Sequence, residues 1–133
     1  MNEIKVMLND AAEVVAPSLH DFDVKSLRIV KKNLFLLLSD RDKKFVVKFV
    51  EVEQMVMGGF CEQNTILDLL LLSCENCSVE ELIQSSQRLG LKCELNGEVM
   101  HKYKNGDLIY SILYPSVGLD LQVLSKEVHL YQS

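Results

Sequence analysis

Between Ser26 and Leu72 the chain passes through short apolar blocks, each of strand length and each closed by polar turn residues. Leu27 and Ile29 flank Arg28, a break follows at Lys31-Lys32-Asn33, and Leu34 to Leu38 runs apolar until Ser39-Asp40-Arg41-Asp42-Lys43 turns the chain. Phe45-Val46-Val47-Lys48-Phe49-Val50 is the next block. Blocks of this length, rich in β-branched, aromatic and leucine residues, predict antiparallel neighbours joined by short turns. Gly58-Gly59 is the following breaker, and after it comes Thr65 to Leu72. A run so short reveals no period, so its length and its glycine-bounded start decide for a strand. This stretch is read as the scaffold and the main source of core.

The rest of the chain divides at clearer signals. Ser78 is a good N-cap for a helix over 79–89, Glu81 completes a capping box, and Glu80 and Glu81 both stand at the positive end of the helix dipole. Gly90 supplies the stop, and Val79, Leu82, Ile83 and Leu89 form an apolar stripe. Asn96-Gly97 and Asn105-Gly106 are each read as a two-residue hairpin turn, between alternating strands at Leu91, Cys93, Leu95, then Val99, His101, Tyr103, then Leu108, Tyr110, Ile112, Tyr114. Pro115-Ser116-Val117-Gly118 breaks the run, which resumes at Leu119, Leu121 and Val123 and closes with Val128 and Leu130. In the first twenty residues, Ile4, Val6 and Leu8 alternate as in a strand, while Ile4, Leu8, Ala11 and Val15 also fit one helical face. Strand is the favoured reading, and Pro17 ends either element. The fold class is therefore α+β, mostly antiparallel β, with two meanders packed against one amphipathic helix over about residues 79–89. The 133 residues form one domain, because two cores would leave each half marginal.

Charge removes several function classes. With 14 Lys and Arg against 19 Asp and Glu, the formal charge of −5 disfavours a general affinity for nucleic acid or anionic membranes and would steer a basic protein partner toward the chain. The start Met1-Asn2-Glu3-Ile4-Lys5 has no signal-peptide pattern, and Ile66 to Leu72 is far shorter than a membrane-spanning helix, so the expected location is the cytoplasm. No glycine-rich phosphate loop is present, and without Trp the chain lacks the usual platform for single strands. No cofactor is expected.

Four cysteines carry the remaining chemistry. Cys74-Glu75-Asn76-Cys77 is one close pair, while Cys61 and Cys93 stand apart, so a four-thiolate zinc site competes with two small core residues and a loop before the helix. Redox use is disfavoured because Cys77, rather than Cys74, adjoins the helix start. A thiol nucleophile at Cys61 would need His101 within hydrogen-bond reach and a third group to orient the imidazole. In order, Cys61, the helix from Ser78, Leu89-Gly90-Leu91-Lys92 and His101 loosely resemble the layout of papain-like leader peptidases. Glu62 and Gln63 replace the small residues that normally follow such a nucleophile, and no orienting Asn or Asp is evident after His101.

A second resemblance covers most of the chain from Asp21 onward. Phe49-x-x-Val52, Gly59-Phe60-x-Glu62-x-Asn64-x-Ile66-Leu67-Asp68 and Pro115-Ser116-x-Gly118-Leu119 resemble small bacterial immunity-type proteins that accompany toxin genes. The resemblance implies a stoichiometric inhibitor without an active site, bound to a toxin domain. On this reading Glu75, Glu80 and Glu81 are the expected contacts to a basic partner. The cysteine hydrolase with Cys61 and His101 stands as the alternative, together with a homo-oligomeric subunit that pairs open sheet edges.

Overall fold

A computed structural model describes residues 1–133. Its elements are β1 (Asn2–Ile4), β2 (Met7–Leu8), β3 (Val14–Ala16), β4 (Asp23–Val30), β5 (Asn33–Ser39), β6 (Lys44–Gly58), β7 (Thr65–Leu72), α1 (Val79–Leu89), α2 (Gly97–Lys104), β8 (Ile109–Val117) and β9 (Asp120–Gln132). Strands dominate, all main pairings are antiparallel, and two helices make the fold α+β.

The two longest strands, β6 with 15 residues and β9 with 13, set the architecture because each belongs to two layers. The seven-stranded sheet runs β1-β9-β6-β5-β4-β7-β8, and β8 pairs back onto β9. Residues Lys44–Phe49 of β6 pair with β5, whereas β6 follows β9 to its end at Gly58↔Asp120. A positive φ at Glu51 and a register shift between Val52 and Gln54 bend the strand between the two halves. One layer is thus β4-β5-β6-β9-β1 and the other β6-β9-β8-β7.

Between the layers lies a core of alternating residues. It contains Leu34, Leu36 and Leu38 of β5, Phe45, Val47 and Phe49 of β6, and Leu121 and Val123 of β9. A second core covers the outer face of the other layer, where Leu70, Leu72, Tyr110, Ile112 and Leu124 meet Leu82 of α1 and Val99 and Tyr103 of α2. Strand β7 feeds both cores, which explains a sequence run without alternation: a strand buried on both faces has no polar side to show.

The ring closes narrowly. Strands β4 and β7 share one residue pair, Asp23↔Thr65, supported by Val24 N donating to Asn64 O at 2.7 Å and Thr65 Oγ1 donating to Asp23 Oδ1 at 2.8 Å. Beyond that point β4 leaves β7, whose edge is taken by the segment before β3 through Glu13↔Leu70 and Leu71 N donating to Ala12 O at 2.9 Å. At the far end of β6, Gly59 and Gly118 touch: a Cβ on Gly59 would lie 2.5 Å from Gly118 O. Asn64, buried here, accepts from Cys61 N at 3.0 Å and donates to Cys61 O at 2.7 Å, so its amide closes the loop after Gly59.

Several expectations fail between α1 and β8. The residues expected to form a hairpin strand around His101 form α2, and Leu91 to Leu95 are not a strand. Asn96 acts as N-cap, its Oδ1 accepting from Val99 N at 2.9 Å. Val99 and Tyr103 are buried with His101 exposed between them, which the helical period permits and a strand does not. The buried Tyr103 hydroxyl donates to Cys77 O at 2.6 Å and fixes α2 against the turn before α1. Asn105-Gly106 ends α2: Gly106 is left-handed, and Asp107 N donates to Lys102 O at 2.9 Å. Ile83, expected in the apolar stripe of α1, is 54% exposed; only Leu82 of that helix is fully buried. Pro115 does not interrupt β8, because the strand passes through it at a register shift opposite Ile66.

Candidate functional site

The three glutamates expected to meet a partner sit where β7 turns into α1. Asn76 shapes the turn, with Oδ1 accepting from Ser73 N at 3.0 Å and Nδ2 donating to Leu71 O at 3.0 Å, and Glu75 projects into solvent beside it. Ser78 begins the helix with a complete capping box: Glu81 N donates to Ser78 Oγ at 3.1 Å and Ser78 N donates to Glu81 Oε1 at 3.4 Å. Glu80 and Glu81 are exposed in the first turn, where the aligned peptide dipoles favour anions.

Beside them runs a groove that the sequence does not announce. It has a volume of about 320 Å³ and lies between α1, the outer face of β7 and the loop before β3. Asp10, Glu13, Asp68 and Glu81 bring four carboxylates to its wall, and Arg88 is the one cation among the lining residues. Arg88 donates to Ser85 Oγ at 3.3 Å and makes no ion pair. The loop is held in place by Asn9, whose Oδ1 accepts from Ala11 N at 2.9 Å and Glu13 N at 3.0 Å. The floor is apolar, from Leu70 and Leu72, and Tyr114 closes one end with its hydroxyl donating to Leu89 O at 2.7 Å. Burial pushes the Tyr114 hydroxyl above its ordinary pKa, so it remains a neutral donor. Asp68 was visible as the single charge inside an apolar run. Asp10 and Glu13 had no such signal, because only the folded chain brings them to α1.

The cysteine alternatives come out differently. Cys61 is exposed in the loop after Gly59, contrary to the expectation of a small core residue, since Phe60 to Gln63 all face solvent there. Its Sγ donates to Gln63 O at 3.1 Å. His101 lies on the exposed face of α2 with Nε2 3.1 Å from Asn105 Nδ2. Asn105 thus holds the imidazole, but no hydrogen bond joins His101 to Cys61 or to another thiol. Cys77 and Cys93 are buried, and burial raises both thiol pKa values, which favours the protonated packing form over the thiolate. All four cysteines are free, and nowhere do three or more His, Cys, Asp or Glu side chains gather at metal-holding geometry. No helix is long and apolar enough to cross a membrane.

His129 is the best-coordinated histidine. Nδ1 is 2.7 Å from Glu3 Oε2 and Nε2 is 2.8 Å from Glu127 Oε1, tying β1 to β9. Glu127 and His129 lie two residues apart on β9, and Glu3 arrives through the β1–β9 pairing. Compared with family models, with curated proteins and with solved structures, the chain matches none.

Proposed function

We propose that this chain is a non-catalytic bacterial binding protein, an immunity-type antidote that neutralises a basic toxin domain by direct contact. The groove beside α1 carries the reading: four carboxylates and one unpaired guanidinium line it together with Leu70 and Leu72. Of the four, Glu13 and Asp68 are half-buried, where a charge-assisted hydrogen bond to an inserted Lys or Arg is stronger than on an open surface. Glu75 and Glu80 extend the acidic face outward, next in sequence to the groove residues Asn76 and Glu81. The net charge of −5 adds long-range steering of a cationic partner.

The test is protection in cells. The product of the gene immediately upstream is expressed with and without this chain, and growth is followed. Growth arrest relieved by the wild-type chain supports the reading. A variant carrying Glu75→Lys, Glu80→Lys and Glu81→Gln keeps a capping-box acceptor at residue 81 and is expected to protect poorly. Full protection by that variant would place the contact elsewhere, and no protection by the wild type would reject the antidote role.

A further inference from the structure

On the flank away from α1, two strand edges lie open around one cleft. Beyond Asp23, the side of β4 opposite β5 has no strand partner, so the edge of Lys25–Val30 is open. The second half of β6 pairs with β9 on one side, while β5 reaches only to Phe49 on the other, which leaves Gln54–Gly58 open as well. Ile29 of β4 and Met55 of β6 line the same crevice of about 180 Å³ with Leu34 and Val52, and Lys31, Lys32 and Asn33 of the hairpin tip border it. Asp23, Val24 and Lys25 share a second recess with the loop Phe60 to Asn64 that follows β6. Large apolar side chains stand exposed along it: Ile29 58%, Met57 48% and Phe60 49%. Lone exposed apolar residues are ordinary; a row of them beside unpaired backbone is a pairing template.

Charge selects the occupant. Lys25, Arg28, Lys31 and Lys32 put four cations into eight residues of an otherwise acidic protein, and of these only Lys25 has an ion-pair partner, Asp23 at 3.6 Å. The opposite edge, Gln54-Met55-Val56-Met57-Gly58, is uncharged. A two-residue hairpin closes Val30↔Asn33, so Val30, Arg28 and Ser26 spend their backbone groups on β5 and Leu27 and Ile29 turn theirs toward the cleft. A second copy of this chain paired antiparallel along β4 would bring the two cationic rows together, which repels it. We infer that β4 receives an extended segment of a partner protein in which apolar and acidic residues alternate. Its apolar side chains lie against Leu27, Ile29, Met55 and Met57, and its carboxylates face Arg28, Lys31 and Lys32. This surface is separate from the α1 groove and opposite to it in charge.

The probe is a blocked eight-residue peptide of alternating Val and Glu, titrated into the full-length chain while backbone amide resonances are followed. Amide shifts confined to Lys25–Val30 and Met55–Phe60 are expected. The Arg28→Glu/Lys31→Glu variant, changed only at exposed positions, should weaken binding at least about tenfold. A Val–Lys peptide should bind no better than that variant does. Absence of shifts in those segments, equal binding of the Val–Lys peptide, or dimerisation through β4 without peptide would each overturn the inference.

Discussion

A side-chain carbon at Gly118 would fall 2.5 Å from Asn64 Oδ1 and against the Gln63 carbonyl, at a φ of +86° that side chains rarely adopt. Gly118→Ala is therefore expected to cost about 2–4 kcal/mol through steric overlap and backbone strain together. Gly58→Ala, where a Cβ would meet nothing within 4 Å, is the matched control and should change stability by less than about 1 kcal/mol. Urea unfolding of both variants checks the contrast; equal midpoints would contradict the corner geometry. The motif residues Gly59, Asn64 and Gly118 were legible as corner residues one at a time. That they form one corner was not, because their contacts join positions more than fifty residues apart in the chain.

Among the elements, β1 depends most on a titrating group. Hydrogen bonding to Glu3 first, and to Glu127 second, raises the His129 pKa above its ordinary value of 6.5. The imidazolium clamps β1 to β9, so its contribution is fully present below about pH 6.5 and is lost as pH rises through the higher folded-state value. Wild-type urea midpoints should fall across that window, and amide exchange at Asn2–Ile4 should quicken. His129→Gln should flatten the dependence; an unchanged slope would show that the clamp contributes nothing. Elements were legible where one face is buried, as in β5, whose Leu34, Leu36 and Leu38 point into the core in strict alternation. They were misread where local chemistry fits two structures. Asn-Gly suits a hairpin, but Asn96 also caps a helix, and burial of Val99 and Tyr103 one turn apart decides for α2.

For the molecule as a whole, the α+β class and the antiparallel character follow from patterning, whereas the groove does not. Its walls come from residues 10–13, 68–72, 76–89 and Tyr114, which only the closed sheet assembles. The first-turn positions of Glu80 and Glu81 were readable from the sequence because capping and dipole rules operate within one helix turn. Asp10 and Glu13 were not, since nothing local distinguishes them from other surface acids. The assembled charge distribution is two-sided, with an acidic groove beside α1 and a cationic strand edge at β4. The most direct measurement of the central claim is calorimetric titration of the purified upstream gene product with this chain at about 50 and about 300 mM salt. A complex of equal stoichiometry is expected, with an affinity that falls with salt and falls at least about tenfold in the Glu75→Lys/Glu80→Lys/Glu81→Gln variant. No detectable complex, or an affinity indifferent to both salt and the substitutions, would contradict it.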